Sequence, residues 1–183
     1  MSEFPRILVT LLFAANPFLL AAALGGRPRT TVLAQAAATA GAILIVAAGV
    51  AGPLLDTLSI EPETFRIAAG VIMLVTGAAA AFPFGSPRAI PIGETGRFVP
   101  GVFPLGWPGL ASAGAVAAAM SYSADSGAGV TVIAAVLAVA VSLGALSVIA
   151  RSPRIWPLSA GRFCGGVLVV LAVDLIVAGI QDV

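Results

Sequence analysis

The chain has 183 residues, of which 60% are hydrophobic and 9% are charged, and its mean hydropathy is +1.10. A soluble domain could not expose such a composition to water, so we expect the chain to lie in a membrane. The net charge of +1, the absence of histidine and the single cysteine exclude nucleic-acid binding through a basic patch, intramolecular disulfides, and histidine-based catalysis or metal sites. We therefore predict a protein that is not an enzyme and holds no metal or cofactor.

Six apolar runs of about 20 residues, the length that an α-helix needs to cross a bilayer, follow one another along the chain. They cover residues 7–25, 30–52, 65–83, 101–120, 128–150 and 156–180. The predicted fold class is an all-α integral membrane protein with six transmembrane helices in a single membrane domain.

Prolines interrupt two of these runs, at Asn16-Pro17 in the first and at Trp107-Pro108-Gly109 in the fourth. A proline removes one backbone donor and clashes with the carbonyl four residues earlier. In hydrocarbon, such a break is tolerated where it is buried in protein or lines a water-filled cavity. Because asparagine is a good N-cap and proline is favoured at the first helical position, Pro17 is predicted to begin a half-helix. Pro108 is predicted to begin a second one that runs the opposite way.

Two half-helix N-termini that converge from opposite sides favour an anionic or zwitterionic ligand, for instance a carboxylate. The predicted substrate-binding residues are Asn16, Pro17, Phe18, Trp107, Pro108, Gly109 and Ser112. The alternative is a pair of packing kinks whose freed backbone groups are satisfied by neighbouring helices.

Three polar residues inside the spans are further candidates. Asp174 lies within the last run, where an acid is a candidate proton or sodium site, although the end of its helix is close enough for it to reach interfacial water. Gln35 and Thr39 are one turn apart on the second run, and either line the cavity or bridge helices.

Four residues near span ends are expected to serve the membrane interface. Arg66 and Arg162 open the third and sixth spans, where extension of the side chain to lipid headgroups is the expected role. Tyr122 and Trp156 are expected to be interfacial anchors.

Arginines are concentrated on one face of the predicted bundle. The loops after spans one, three and five hold seven of the nine, Arg27, Arg29, Arg88, Arg97, Arg151, Arg154 and Arg162. Because arginine-rich short loops stay in the cytoplasm, both termini are predicted to lie outside.

An odd number of spans on each side of the polar linker means that any internal repeat must be inverted. Weak self-similarity superposes Pro17 on Pro108 and Arg66 on Arg162, the pairs on which the repeat depends, and also Gly70 on Gly166. The predicted organisation is a first three-helix repeat (1–83), a cytoplasmic linker (84–100) and a second three-helix repeat (101–183), with spans one and four broken at the two prolines.

Four segments, in this order, resemble the MarC family of bacterial inner-membrane proteins, which includes neutral amino acid transporters related to LysE-type exporters. They are FAANPF (13–18), SIEPETFRIAAGVIML (59–74), VFPLGWPG (102–109), and GRFCGG through AGI (161–180). The resemblance implies six spans in the bacterial cytoplasmic (inner) membrane and, for the transporting members, movement of small neutral amino acids. The chain departs from the family at Trp107, where the usual sequence is Gly-Pro-Gly, and at Asp174, where relatives generally have an uncharged polar residue.

The expected function is secondary transport of a small zwitterionic or neutral amino acid, or a similar small metabolite, by rocking of the inverted repeats. The expected partners are this small-molecule substrate and the lipid bilayer, without nucleic acid, and a homo-oligomer is compatible with the sequence. Two alternatives stay open: a non-transporting structural or regulatory membrane protein, and a carrier of another anionic substrate.

Overall fold

The computed structural model describes residues 3–24, 28–82, 101–150 and 155–182, and within these ranges it contains helices and no strand. The regular helices are α1 (Glu3–Ala15), α2 (Pro17–Leu24), α3 (Thr30–Leu58), α4 (Pro62–Ala81), α5 (Ala113–Ser126), α6 (Ala128–Ile149) and α7 (Ile155–Asp182). An irregular helical segment, Gly101–Leu110, precedes α5 and is bent by 59° relative to it. We call it the 101–110 segment.

The described helices confirm the prediction of an all-α integral membrane protein. Five stretches are long and apolar enough to cross a membrane, namely α1 with α2, α3, α4, α6 and α7. The 101–110 segment and α5 are together apolar and long enough to cross as well, so the described residues hold five spans, or six if this bent pair is one broken span and not a re-entrant loop.

One end of the bundle carries the first and last described residues. Glu3, Arg66, Asp125 and Asp182 line one pocket there, so the starts of α1 and α4 lie beside the ends of α5 and α7. Short turns bring the end of α3 and the start of α6 to the same place. We call this the terminal end, and the opposite one the linker end. The predicted linker, 84–100, lies outside the described residues.

Glycines allow α4 and α7 to pack closely side by side in antiparallel directions. A Cβ built on Gly77 would lie 3.0 Å from the carbonyl oxygen of Gly165, and one built on Gly179 would lie 3.0 Å from that of Glu63. In lipid there is no hydrophobic exclusion between helices, so close backbone approach and dispersion hold such pairs together.

Replacing Gly165 by leucine is expected to force α4 and α7 apart. A Cβ at this position would lie 2.6 Å from the backbone nitrogen of Ala81, and overpacking of this kind costs about 1–3 kcal/mol. The next residue, Gly166, has nothing within 4 Å of a built Cβ, so Gly166→Leu is the matched control. Unfolding by detergent titration should show a lower free energy of unfolding for Gly165→Leu and no change for Gly166→Leu. Equal stability of the two variants would contradict the close packing.

The inverted relation between the two three-helix halves stays a prediction. Gly70 is closely packed, with a built Cβ 3.0 Å from the carbonyl oxygen of Ala172, whereas its predicted counterpart Gly166 faces open space. The two glycines that the self-similarity superposes therefore have different surroundings.

Candidate functional site

The first break falls where the Asn16-Pro17 pair predicts it. α1 ends at Ala15 and α2 begins at Pro17, and Asn16 between them has a positive φ of 39°, which asparagine tolerates better than most residues. The Asn16 side chain accepts a hydrogen bond from the Leu19 N–H at 3.2 Å and donates one to the Gly161 carbonyl at 2.9 Å. Asn16 thus caps α2 and ties the break to α7.

The second break lies around Pro108, but the half-helix after it begins at Ala113. Trp107 and Pro108 have non-helical backbone angles, and the Ser112 hydroxyl accepts the Ala115 N–H at 3.1 Å as the N-cap of α5. The prediction that Pro108 itself begins the half-helix is therefore wrong. A helix begins where a side chain can satisfy its free N–H groups, and Ser112 offers that acceptor.

The two breaks are joined directly by a hydrogen bond. The Ser112 hydroxyl donates to the carbonyl of Ala14, 98 residues earlier in the chain, at 2.9 Å. Ala14 lies in the last turn of α1, where carbonyls lack partners within the helix because Asn16 and Pro17 interrupt it. The cap of one half-helix thus satisfies an open carbonyl of the other break.

A cavity of about 370 Å³ lies against both breaks. Its lining residues are Phe13, Ala14, Ala15, Asn16, Leu19, Leu20, Ala23, Thr76, Ala79, Ala80, Pro108, Gly109, Ser112 and Leu168. Four of the predicted substrate-binding residues are therefore in its wall: Asn16, Pro108, Gly109 and Ser112. None of the described residues that line it is charged, and its polar side chains are those of Asn16, Thr76 and Ser112.

The other three predicted substrate-binding residues are not in this wall. Pro17 is buried at the start of α2, and Phe18 packs edge-on against Trp156 with ring centroids 5.8 Å apart. Trp107 is 40% exposed. A role for these residues in substrate binding stays a prediction.

Thr76 is a wall residue that sequence reasoning missed. It lies on α4, its hydroxyl donates to the Ile72 carbonyl, and a Cβ built on Gly114 would lie 3.1 Å from its Oγ1. Thr76 therefore packs against the first turn of α5. A polar threonine within a run of small apolar residues was the feature of the sequence that could have indicated a wall residue.

Gln35 and Thr39 contact the 101–110 segment and do not line the cavity. A Cβ built on Gly101 would overlap Gln35, and one built on Gly106 would lie 2.7 Å from the Cβ of Thr39. Of the two predicted roles, these contacts agree with helix bridging.

Asp174 lies away from the cavity, on the exposed surface of α7. Its Oδ2 is 2.6 Å from Nη2 of Arg6, and its side chain is 60% exposed. A proton or sodium site at Asp174 stays a prediction, and in this structure the carboxylate is paired with an arginine.

Two predicted interfacial residues instead have partners inside the protein. Arg66 is paired with Asp125 and Asp182 rather than extended to headgroups, because these acids end α5 and α7 beside it. Tyr122 is buried, and its hydroxyl lies 3.1 Å from that of Thr10. The anchor prediction for Tyr122 is therefore wrong. Arg162 and Trp156 are exposed.

These observations define a multi-pass all-α membrane protein in which the two helix breaks meet at one cavity. A family model described as MarC family integral membrane protein matches residues 1–183, so the chain belongs to the MarC family. No match to the chain was found among curated proteins or among solved structures.

Proposed function

We propose that this protein is a secondary transporter of a small zwitterionic or neutral amino acid, or a similar small metabolite. In this proposal the substrate binds in the cavity between the two breaks. The observation that supports it most is that the N-termini of α2 and α5 meet at one cavity, with their caps Asn16 and Ser112 in its wall.

The electrostatics of this wall favour a zwitterion over an ion with net charge. Each helix N-terminus has N–H groups without intrahelical partners and a partial positive charge of about +0.5, so a carboxylate is stabilised there. The last turn of α1, with Phe13 and Ala15 in the wall, has carbonyl groups that suit an ammonium group. With no charged side chain among the described wall residues, a substrate of net charge would lack a counter-charge.

The size of the cavity favours a small substrate. Its volume of about 370 Å³ is near the lower limit for ligand pockets, which is about 300 Å³. Five alanines contribute to the wall, so a small apolar side chain on the substrate would find matching surroundings.

The proposed setting is the bacterial cytoplasmic membrane, with both termini outside. The arginine-rich loops support this orientation, since the positive-inside rule places them in the cytoplasm. The proposed mechanism is rocking of the two three-helix halves against each other around the cavity, and no catalytic step is part of it.

Transport by the purified protein in liposomes tests this proposal. Labelled glycine, alanine and serine are supplied under a proton or a sodium gradient, with protein-free liposomes as the control. We expect saturable uptake of at least one of them. Uptake of none, by protein shown to be helical and monodisperse, would contradict the amino acid proposal.

One observation favours the alternative of a non-transporting membrane protein. The Asn16 amide and the Ser112 hydroxyl each donate and accept a hydrogen bond within the protein, as expected of kinks that neighbouring groups seal. A carrier of another anionic substrate is the remaining alternative. Transport of an inorganic or organic anion in the same liposomes, without amino acid transport, would select it.

A further inference from the structure

The half of the bundle between the cavity and the terminal end is densely packed. Fully buried apolar side chains from four helices fill it, among them Ile7, Leu11, Ala69, Met73, Ala115, Ala118 and Leu175. The cavity instead extends toward the linker end, where Ala23, Ala79 and Ala80 belong to the last turns of α2 and α4. The cavity is thus closed on the terminal side.

An arginine cluster closes the terminal end above this core. Arg66 on α4 binds Asp125 on α5 through two nitrogens, with Nη2 to Oδ1 at 2.9 Å and Nε to Oδ2 at 3.0 Å, and its Nη1 contacts Asp182 on α7. The side chains of Arg66 and Asp125 are only 14% and 18% exposed. Their attraction is therefore screened less than that of a surface pair.

Two further contacts join α1 to the helices opposite it. Arg6 is paired with Asp174 on α7. The Thr10 hydroxyl donates to the Arg6 carbonyl at 2.8 Å, so in its 3.1 Å bond with Tyr122 the tyrosine is the donor.

The three salt bridges and the Thr10–Tyr122 bond each link the first half of the chain to the second. Arg6, Thr10 and Arg66 belong to helices before the linker, and their partners on α5 and α7 come after it. Rocking of one half against the other would have to break all of them together. Charged and hydroxyl groups suit such reversible contacts, because water can solvate them once they separate.

We infer that these contacts form a gate, which closes the terminal side of the transport site while the site communicates with the linker end. The gate consists of Arg66 with Asp125 and Asp182, Arg6 with Asp174, and Thr10 with Tyr122. The inference rests on the proposed function, since a gate acts only on a site that is exposed to the two membrane faces in turn. It also gives a role to Arg6 and Arg66, the two arginines outside the arginine-rich loops.

Thiol labelling from the terminal side tests the gate without any substrate. Ala15→Cys in a Cys164→Ala background places a single thiol in the cavity wall, and a membrane-impermeant maleimide is added to the vesicle face that bears the termini. We expect slow labelling in this parent and at least tenfold faster labelling when Arg66→Gln is added. Asp125→Asn, which removes the partner on the other half with little change in shape, should act in the same direction. Arg162→Gln, at an exposed position near the linker end, is the control and should leave the rate unchanged.

The gate is overturned if the parent is labelled from the terminal side as fast as the Arg66→Gln variant. It is equally overturned if Arg66→Gln and Asp125→Asn, both shown to be monodisperse, leave labelling slow. Gated labelling in a protein that transports no amino acid would count against the proposed substrate and leave the gate standing. Amino acid transport with ungated labelling would count against the gate alone.

Discussion

Replacing Asn16 by alanine is expected to lower amino acid transport about 100-fold while leaving the protein folded, because misplacement of a binding group by about 1 Å can cost that factor. The variant loses the bond that caps the Leu19 N–H and the bond to the Gly161 carbonyl. Loss of an N-cap costs about 1 kcal/mol of stability, which a six-span bundle should withstand. The N-terminus of α2 would no longer be held in place against the cavity.

The measurement is initial uptake in liposomes at matched protein density, with circular dichroism and size-exclusion profiles as checks of folding. Gln181→Ala removes an exposed amide at the end of α7 and should transport normally. Pro17→Ala restores a backbone donor, so that α1 and α2 can join, and should also abolish transport. Normal transport by the Asn16 and Pro17 variants would indicate that the breaks are packing kinks with no role in transport.

Replacing Ala23 by tryptophan is expected to abolish transport by filling the cavity. Ala23 lies on α2 in the cavity wall and is half-buried, so a large ring at this position enters the space that the substrate needs. The change lies in the last turn of α2, and size-exclusion and circular dichroism profiles check that the variant is folded. Uptake should fall to the level of protein-free liposomes, and binding of the transported amino acid to purified protein should be lost with it.

The matched control is Ala42→Trp, on the exposed face of α3 and outside the cavity wall. It adds the same ring where lipid can accommodate it and should leave uptake unchanged. Full transport by the Ala23→Trp variant would show that the substrate takes another path through the protein.

The spans and the first break are predictable because local chemistry determines them. Apolar length alone identifies a membrane helix, and Asn16-Pro17 supplies a cap and removes a donor within two residues. The start of α5 is determined less by the local sequence. Ser112 caps it while also bonding to Ala14 of another span, and a contact between residues 98 apart is invisible in the sequence around Pro108.

The partners of the polar groups at the terminal end are even harder to predict from the local sequence than the start of α5. Position in a span indicates the depth of Arg66, Tyr122 or Asp174 in the membrane but not its neighbours. The structure pairs Asp174 with Arg6, 168 residues away, and Tyr122 with Thr10, 112 residues away. Only packing of the two halves brings these groups together, so their interfacial or ion-binding roles were the natural predictions and their partners were missed.

The most direct test of the substrate site is a structure determined in lipid with and without the amino acid that the protein transports. We expect added density between Asn16 and Ser112, with the carboxylate within hydrogen-bond distance of the first N–H groups of α2 or α5 and no charged side chain beside it. A cavity that holds only an acyl chain, or an amino acid bound elsewhere in a protein that transports it, would contradict a substrate site between the two breaks.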